Sequence, residues 1–132
     1  MSGILNPEVL VLGAGGTVGF GVVGALLEAG SPVLALGRDG MRMQALAEHF
    51  ADEPALELMT SDGIDTDAAA ANLVTQLRTR KRPLRAVFAS LASPLESGRL
   101  LDRPAEFLGE KLQLDLIPHL AAARHLIPLL AE

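Results

Sequence analysis

The sequence predicts an α/β domain with a doubly wound parallel sheet, and three observations carry that expectation. Short apolar runs alternate with longer segments of helical periodicity, four times over. The first run, from Glu8 to Leu12, is continuously apolar after its glutamate, as a strand buried on both faces requires. A glycine-rich turn from Gly13 to Gly19 follows it and opens a helix.

Taken in order, residues 8–12 form the first strand and 16–29 the first helix, with Gly30 as its stop and Pro32 just beyond. Residues 33–36 are a second strand. A helix over 41–50 places Met43, Leu46, Ala47 and Phe50 on one side. Residues 55–59 are a third strand, followed by a helix over 68–80 whose Leu73, Val74 and Leu77 form an apolar stripe. Asp65 or Thr66 is its expected N-cap. Residues 84–90 are a fourth strand, and 104–130 read as helical with a bend at Pro118. Right-handed crossovers then give the strand order 3-2-1-4, with helices on both faces. The ligand crevice is expected at the carboxyl ends of strands one and four. The whole chain, 1–132, reads as one domain.

Composition narrows the function classes. With four Phe and no Trp or Tyr, the core is built from Leu, Val, Ile and Ala. A net charge of −5 argues against a nucleic-acid partner, which calls for a basic face. The absence of cysteine removes disulfides, thiolate nucleophiles and thiolate metal sites, and fits a cytoplasmic location. From Val9 to Leu27 nineteen residues carry no charge, about the length of a membrane span. Six of them are glycines, and no basic stretch precedes them, so a buried strand running into a buried helix is expected, and no membrane partner.

The turn reads Gly13-Ala14-Gly15-Gly16-Thr17-Val18-Gly19. A dinucleotide asks three things of such a turn: a tight reversal out of the strand, bare N–H groups for the pyrophosphate, and close packing of helix on sheet. Glycine at Gly13, Gly16 and Gly19 meets these needs because a Cβ is expected to obstruct there. The helix N-terminus adds unsatisfied N–H donors and the positive end of its dipole. Tight packing alone is the simpler explanation, but each glycine in a helix costs roughly 0.8–1.0 kcal/mol against alanine. Gly19, Gly21 and Gly24 would together give up about 2–3 kcal/mol on that scale. No Gly-Lys-Ser/Thr follows, so the turn is not a nucleoside-triphosphate loop.

The second strand ends in Leu36-Gly37-Arg38-Asp39. An arginine at that tip can clamp a 2′-phosphate through charge-assisted bonds, whereas an acid there favours the ribose hydroxyls of NAD. Arg38 comes first, so NADP is expected, with NAD the alternative that Asp39 leaves open.

Other clusters have simpler readings. The basic run Arg78-Thr79-Arg80-Lys81-Arg82 complements a helix C-terminus. Asp62, Asp65 and Asp67 lack calcium-loop spacing and read as caps and a cofactor contact, while His49, His119 and His125 share no metal-ligand spacing. Asp102, Glu106 and Glu110 read as a solvated helix face. No metal site is expected.

With these elements placed, the chain resembles the short-chain dehydrogenase/reductase superfamily, with its Rossmann-like fold, over essentially its whole length. Gly13-Ala14-Gly15-Gly16-Thr17-Val18-Gly19 looks like the family's glycine motif in the spacing of its extended and atypical members. Asp62, with Gly63 and Ile64 beside it, matches the family aspartate that holds the adenine ring. Val87-Phe88-Ala89-Ser90-Leu91-Ala92 stands where the family carries Asn-Asn-Ala-Gly; Ala89 and Ser90 replace the asparagines, and Ser90 keeps a polar group for the cofactor. Leu114-Asp115-Leu116 occupies the place of Val-Asn-Leu, whose asparagine organises a proton-relay water. The resemblance thus implies a cofactor set of Gly13, Gly15, Gly16, Thr17, Val18, Gly19, Arg38, Asp62, Gly63 and Ser90. The family's catalytic serine and Tyr-x-x-x-Lys lie beyond the last helix of this chain, which corresponds to the N-terminal half of such a protein and holds no catalytic residue. If nothing follows Glu132, an expected fifth strand is also missing, which leaves strand four as an edge.

The resemblance implies an NADP-dependent oxidoreductase transferring hydride between the cofactor and a carbonyl or alcohol, of which this chain is the cofactor part. The alternative is a non-catalytic NADP(H)-binding module that senses redox state or serves as a partner subunit. A nucleotide-sugar epimerase of the extended type rests on the glycine spacing alone. The apolar stretch from Leu112 to Leu130 resembles the family helices that pair across a dimer, so a homo-oligomer through this helix is expected.

Overall fold

The computed structural model describes residues 6–38, 40–61, 63–92 and 98–130. Four strands, β1 (Glu8–Leu12), β2 (Val33–Gly37), β3 (Leu56–Thr60) and β4 (Leu84–Ala89), form one parallel sheet in the order β3-β2-β1-β4, as expected. Helices α1 (Thr17–Glu28), α2 (Gly40–His49) and α3 (Asp67–Thr79) are the crossovers. Each sequence-derived boundary lies within a residue or two of the observed one.

The two faces of the sheet bury different side chains, because successive residues of a strand point to opposite sides. Val9, Val11, Val33 and Ala35 pack with Val23 of α1 and Met43 and Leu46 of α2. Leu10, Leu12, Leu34 and Leu36 face the other way, toward Leu73 and Leu77 of α3 and toward the C-terminal helices. Both faces of β1 and β2 are therefore dry, which is why those strands read as unbroken apolar runs.

Helix α1 ends in a Schellman turn: Gly30 has φ +80°, its N–H donates to Leu27 O, and Ser31 N–H donates to Leu26 O. Thr66 caps α3 by accepting the Ala69 N–H at 3.0 Å. The uncharged stretch from Val9 to Leu27 divides into β1, the turn and α1; no described helix is long and apolar enough to cross a membrane.

The C-terminal region departs from one bent helix. It is two helices, α4 (Ala105–Asp115) and α5 (Ile117–Leu126), preceded and followed by 3-10 turns at Leu100–Asp102 and Ile127–Leu129. The break falls at Leu116 (φ −111°, ψ −50°), two residues before Pro118. Pro118 has no N–H to continue the α4 ladder, and proline suits the first turn of a new helix. Helix α5 buries Pro118, Ala121, Ala122 and Leu126, whereas α4 buries none of its residues. Leu130 then makes a parallel bridge to Leu84 on the outer edge of β4.

Charge closes the N-terminal end of the sheet. Glu8 is 1% exposed yet ionically partnered: both Arg80 Nη atoms reach its carboxylate, and Arg82 Nε lies 3.6 Å from Oε2. Arg80 also binds Glu57. Burial pulls the Arg80 guanidinium down, but hydrogen bonds to Glu8 and Glu57 outweigh it and raise it above its ordinary value. Arg85 donates to the buried Ser31 hydroxyl at 2.8 Å. Two cations of the run from Arg78 to Arg82 therefore pin a buried carboxylate, beyond the expected role at a helix terminus.

On the opposite flank Asp67, in the first turn of α3, meets α5: His125 Nε2 lies 2.7 Å from Oδ1 and Arg124 Nη1 3.7 Å from Oδ2. The His125 hydrogen bond and the Arg124 charge hold the Asp67 carboxyl below the usual aspartate range, against a smaller desolvation effect.

Candidate cofactor site

A cleft of about 340 Å³ opens at the carboxyl ends of β1, β2 and β4, where the strand order reverses. Its floor is the glycine turn. Gly13 has φ +74°, and an ideal Cβ there would lie 2.0 Å from Ser90 O, so only glycine lets the end of β1 pass under the end of β4. Gly19 is buried beneath the turn, and its Cβ would lie 2.1 Å from Gly13 O.

The remaining two glycines differ from each other. A Cβ on Gly15 would sit 2.9 Å from Arg42 Cβ, so this position is closed by the first turn of α2. Gly16 would meet only Gly13 O, at 3.4 Å, an ordinary contact. Protein packing therefore leaves Gly16 room for a side chain, and its bareness faces the cleft it lines. Gly16 is also the N-cap of α1, and no side chain caps that helix. The first-turn N–H groups have no partner within a helix, and the N-cap Gly16 sets that positive end of α1 at the edge of the cleft. Gly24 takes Phe50 against its Cα, whereas a Cβ on Gly21 meets nothing, and no contact explains that glycine.

Arg38 stands at the far wall, exposed, with its guanidinium over Gly63: an ideal Cβ on Gly63 would have Arg38 Cζ at 3.3 Å. Gly63 itself has φ +123° and donates its N–H to Ser61 Oγ at 3.4 Å, a small turn on the same wall. Arg38 also borders a second hollow of about 450 Å³ that extends toward Thr60, Asn72 and Gln76. Arg42 lines the main cleft beside Arg38.

The cleft brings together Gly13, Gly15, Gly16, Arg38, Gly63 and Ser90 of the expected cofactor set. Thr17 and Val18 are exposed on α1 and, with Gly19, are not among its lining residues. Asp62 and Asp39 lie outside the described residues. Asp115 is the last residue of α4, 3.6 Å from Lys111 Nζ, and does not line the cleft. The neighbouring Leu114 and Pro118 do. They escaped the sequence reading because they arrive from a hundred residues away with no local motif. Arg42 could have been found: it lies four residues after Arg38, and the second helix begins between them.

Two hydrogen bonds reach the cleft walls from the C-terminal helices. His119 Nε2 lies 2.7 Å from Leu91 O, and Gln113 Nε2 donates to Asp65 O at 3.3 Å. Among the described residues, no group of three or more His, Asp or Glu side chains is placed to hold a metal.

The chain superposes over nearly its whole length on solved dehydrogenases. A short-chain type dehydrogenase/reductase from Mycobacterium ulcerans matches 96% of it at a TM-score of 0.78 and 19% identity. The fold is that of the short-chain dehydrogenases/reductases. An NADPH-bound carbonyl reductase from chicken fatty liver matches 95% of the chain at a TM-score of 0.76 and 20% identity. The RhlG/NADP active-site complex from Pseudomonas aeruginosa matches 96% at a TM-score of 0.78 and 20% identity. The chain spans about half the length of these proteins: 47%, 49% and 49% of each. No family model and no curated protein sequence matches it.

Proposed function

We propose that this chain holds NADP(H) as the cofactor-binding part of a short-chain dehydrogenase/reductase-like oxidoreductase acting on a carbonyl or alcohol. The observation that carries the proposal is a single cleft bounded by a bare helix N-terminus at Gly16 and by the Arg38 guanidinium. The first-turn N–H groups of α1 would take the pyrophosphate, because nothing beyond Cα stands at Gly13, Gly15 or Gly16 to exclude it. Arg38 would take the 2′-phosphate, Asp62 and Gly63 the adenine side, and Ser90 a polar contact near the other end. When bound, the nicotinamide supplies or accepts the hydride. NADPH-bound and NADP-bound structures among the similar folds support the choice of cofactor.

The test is a titration of the chain with NADPH and NADH, followed by the nicotinamide fluorescence, which no Trp or Tyr obscures. NADPH is expected to bind more tightly. Arg38→Ala is expected to weaken NADPH by roughly 10- to 100-fold, the worth of hydrogen bonds to a charged group, and NADH by less than about threefold. Equal losses for both cofactors would remove the 2′-phosphate assignment.

A second reading, a non-catalytic NADP(H) sensor or partner subunit, is favoured by Ala89 and Ser90 at the end of β4 and by Asp115 standing outside the cleft. Binding of NADPH without oxidation across a panel of ketones, measured on the full natural gene product, would support it.

A homo-oligomer belongs to the same proposal. Leu108, Leu112, Leu116 and Leu120 recur every four residues and stay 42–57% exposed, the apolar stripe that a second copy would cover. A cytoplasmic location is proposed from the cysteine-free sequence.

A further inference from the structure

The two walls of the cleft are tethered by one pair of helices. Leu91 belongs to the segment leaving β4, and Asp65 to the loop leaving β3. His119 reaches the first and Gln113 the second, while Leu114 and Pro118 line the cleft between them. A carbonyl oxygen only accepts, so His119 Nε2 carries the proton toward Leu91 O.

Leu91 packs its side chain against the core, but past β4 the described backbone of this wall makes few bonds to the sheet. The sheet ends at Ala89, and among the described residues the last bond back to the sheet is Ser90 N–H to Leu12 O at 3.0 Å. Beyond that point the segment runs on to Ala92 while still lining the cleft. Its position matters, because Ser90 O sits where a Cβ on Gly13 would stand and so sets the headroom over the glycine turn. No asparagine side chain stands at Ala89 or Ser90 to brace the segment from within. His119 braces it from outside, and is itself anchored: Pro118 precedes it, and Ala121, Ala122 and Leu126 fasten α5 to the core.

We propose that His119 is a positioning residue for the cofactor, holding the stretch from Ser90 to Ala92 at the spacing the bound dinucleotide needs. Gln113, exposed on a helix that buries none of its residues and bonded at 3.3 Å, acts on the opposite wall as the weaker tether. The inference rests on the proposal that this cleft holds NADP(H).

The experiment is an NADPH titration of the full chain as wild type, His119→Leu and His119→Gln, with a thermal melt of each. His119→Leu removes the donor at similar bulk and is expected to raise the Kd roughly tenfold. His119→Gln keeps an N–H donor and is expected to stay within about threefold of wild type. Wild-type affinity in His119→Leu overturns the inference alone, and so does a folded His119→Gln as weak as His119→Leu. A wild-type chain that takes no NADPH removes the cofactor proposal and this one with it. Should the leucine variant fail to fold, imidazole ¹⁵N resonances of the wild type decide. A fixed Nε2–H tautomer that shifts on adding NADPH is expected, and a ring averaging between tautomers that ignores NADPH overturns the assignment.

Discussion

The two ends of the sheet are made by the same four strands and finished in opposite ways. At the amino end a buried carboxylate, Glu8, is locked by Arg80 and Arg82, and Arg85 reaches Ser31. At the carboxyl end bare backbone surrounds an open cleft, and the Arg38 guanidinium is exposed. Charge at the amino end is satisfied within the chain. At the carboxyl end the dipole of α1 and the charge of Arg38 are left for a ligand. The difference teaches where stability and binding are separable in this fold: changes at one end should leave the other untouched.

The largest expected effect is at the closed end. Arg80→Met leaves the Glu8 carboxylate buried with Arg82, at 3.6 Å, as its remaining cation among the described residues, and is expected to cost about 3–5 kcal/mol of stability. Adding Glu8→Met is expected to recover most of that loss, since an apolar pair no longer buries a charge. Urea denaturation measures both. The comparison breaks if either variant, while folded, changes the Kd for NADPH by more than about threefold.

A smaller effect, opposite in sign for the two properties, is expected at the open end. Gly16 caps α1 without a side chain, and its backbone (φ −77°, ψ 168°) accepts any residue. Gly16→Ser should supply a cap oxygen and raise stability by a few tenths of a kcal/mol. The same oxygen occupies the N–H donors that a phosphate needs, so NADPH binding should weaken roughly tenfold. A serine variant that gains stability and keeps its affinity would show that the phosphates do not sit on α1.

The smallest effect sharpens the comparison along the pH axis. Asp67 has its carboxyl lowered by His125 and Arg124, so its contribution is complete above the ordinary aspartate value of about 3.9 and is lost as pH falls through the lowered one. Solvent exposure keeps that contribution small. Melting temperatures of wild type and Asp67→Asn should therefore differ slightly above about pH 4 and converge only as pH falls on through the lowered value. Identical curves at neutral pH would mean that this contact does not fasten α3 to α5.

The strands and crossover helices were legible because their causes are local. The unbroken apolar run of β1, the glycine stop at Gly30 and the cap at Thr66 each act within a few residues. The glycine turn was legible as a tight link from strand to helix for the same reason. What escaped spans long separations. Glu8 and Arg80 are 72 residues apart, and Asp67 and His125 are 58 apart. No periodicity encodes such meetings, so the glutamate read as the edge of an apolar run and the arginine as a terminal cation. The closure of Gly15 by Arg42 of α2 was not legible, because it depends on how the second helix packs against the turn. Pro118 was legible as an interruption, but its ring and missing N–H act on the preceding turn, so the helix parts at Leu116.

Helix α4 contributes no buried side chain, although it carries Leu114 into the cleft and Gln113 onto its wall. A segment held mainly by exposed backbone bonds opens at a lower free energy than the sheet it leans on. Its amides would exchange with solvent through local excursions while those of β1 and β2 wait for global unfolding. One side of the cleft therefore breathes on a faster clock than its floor, and whatever covers the leucines of α4 also slows that clock.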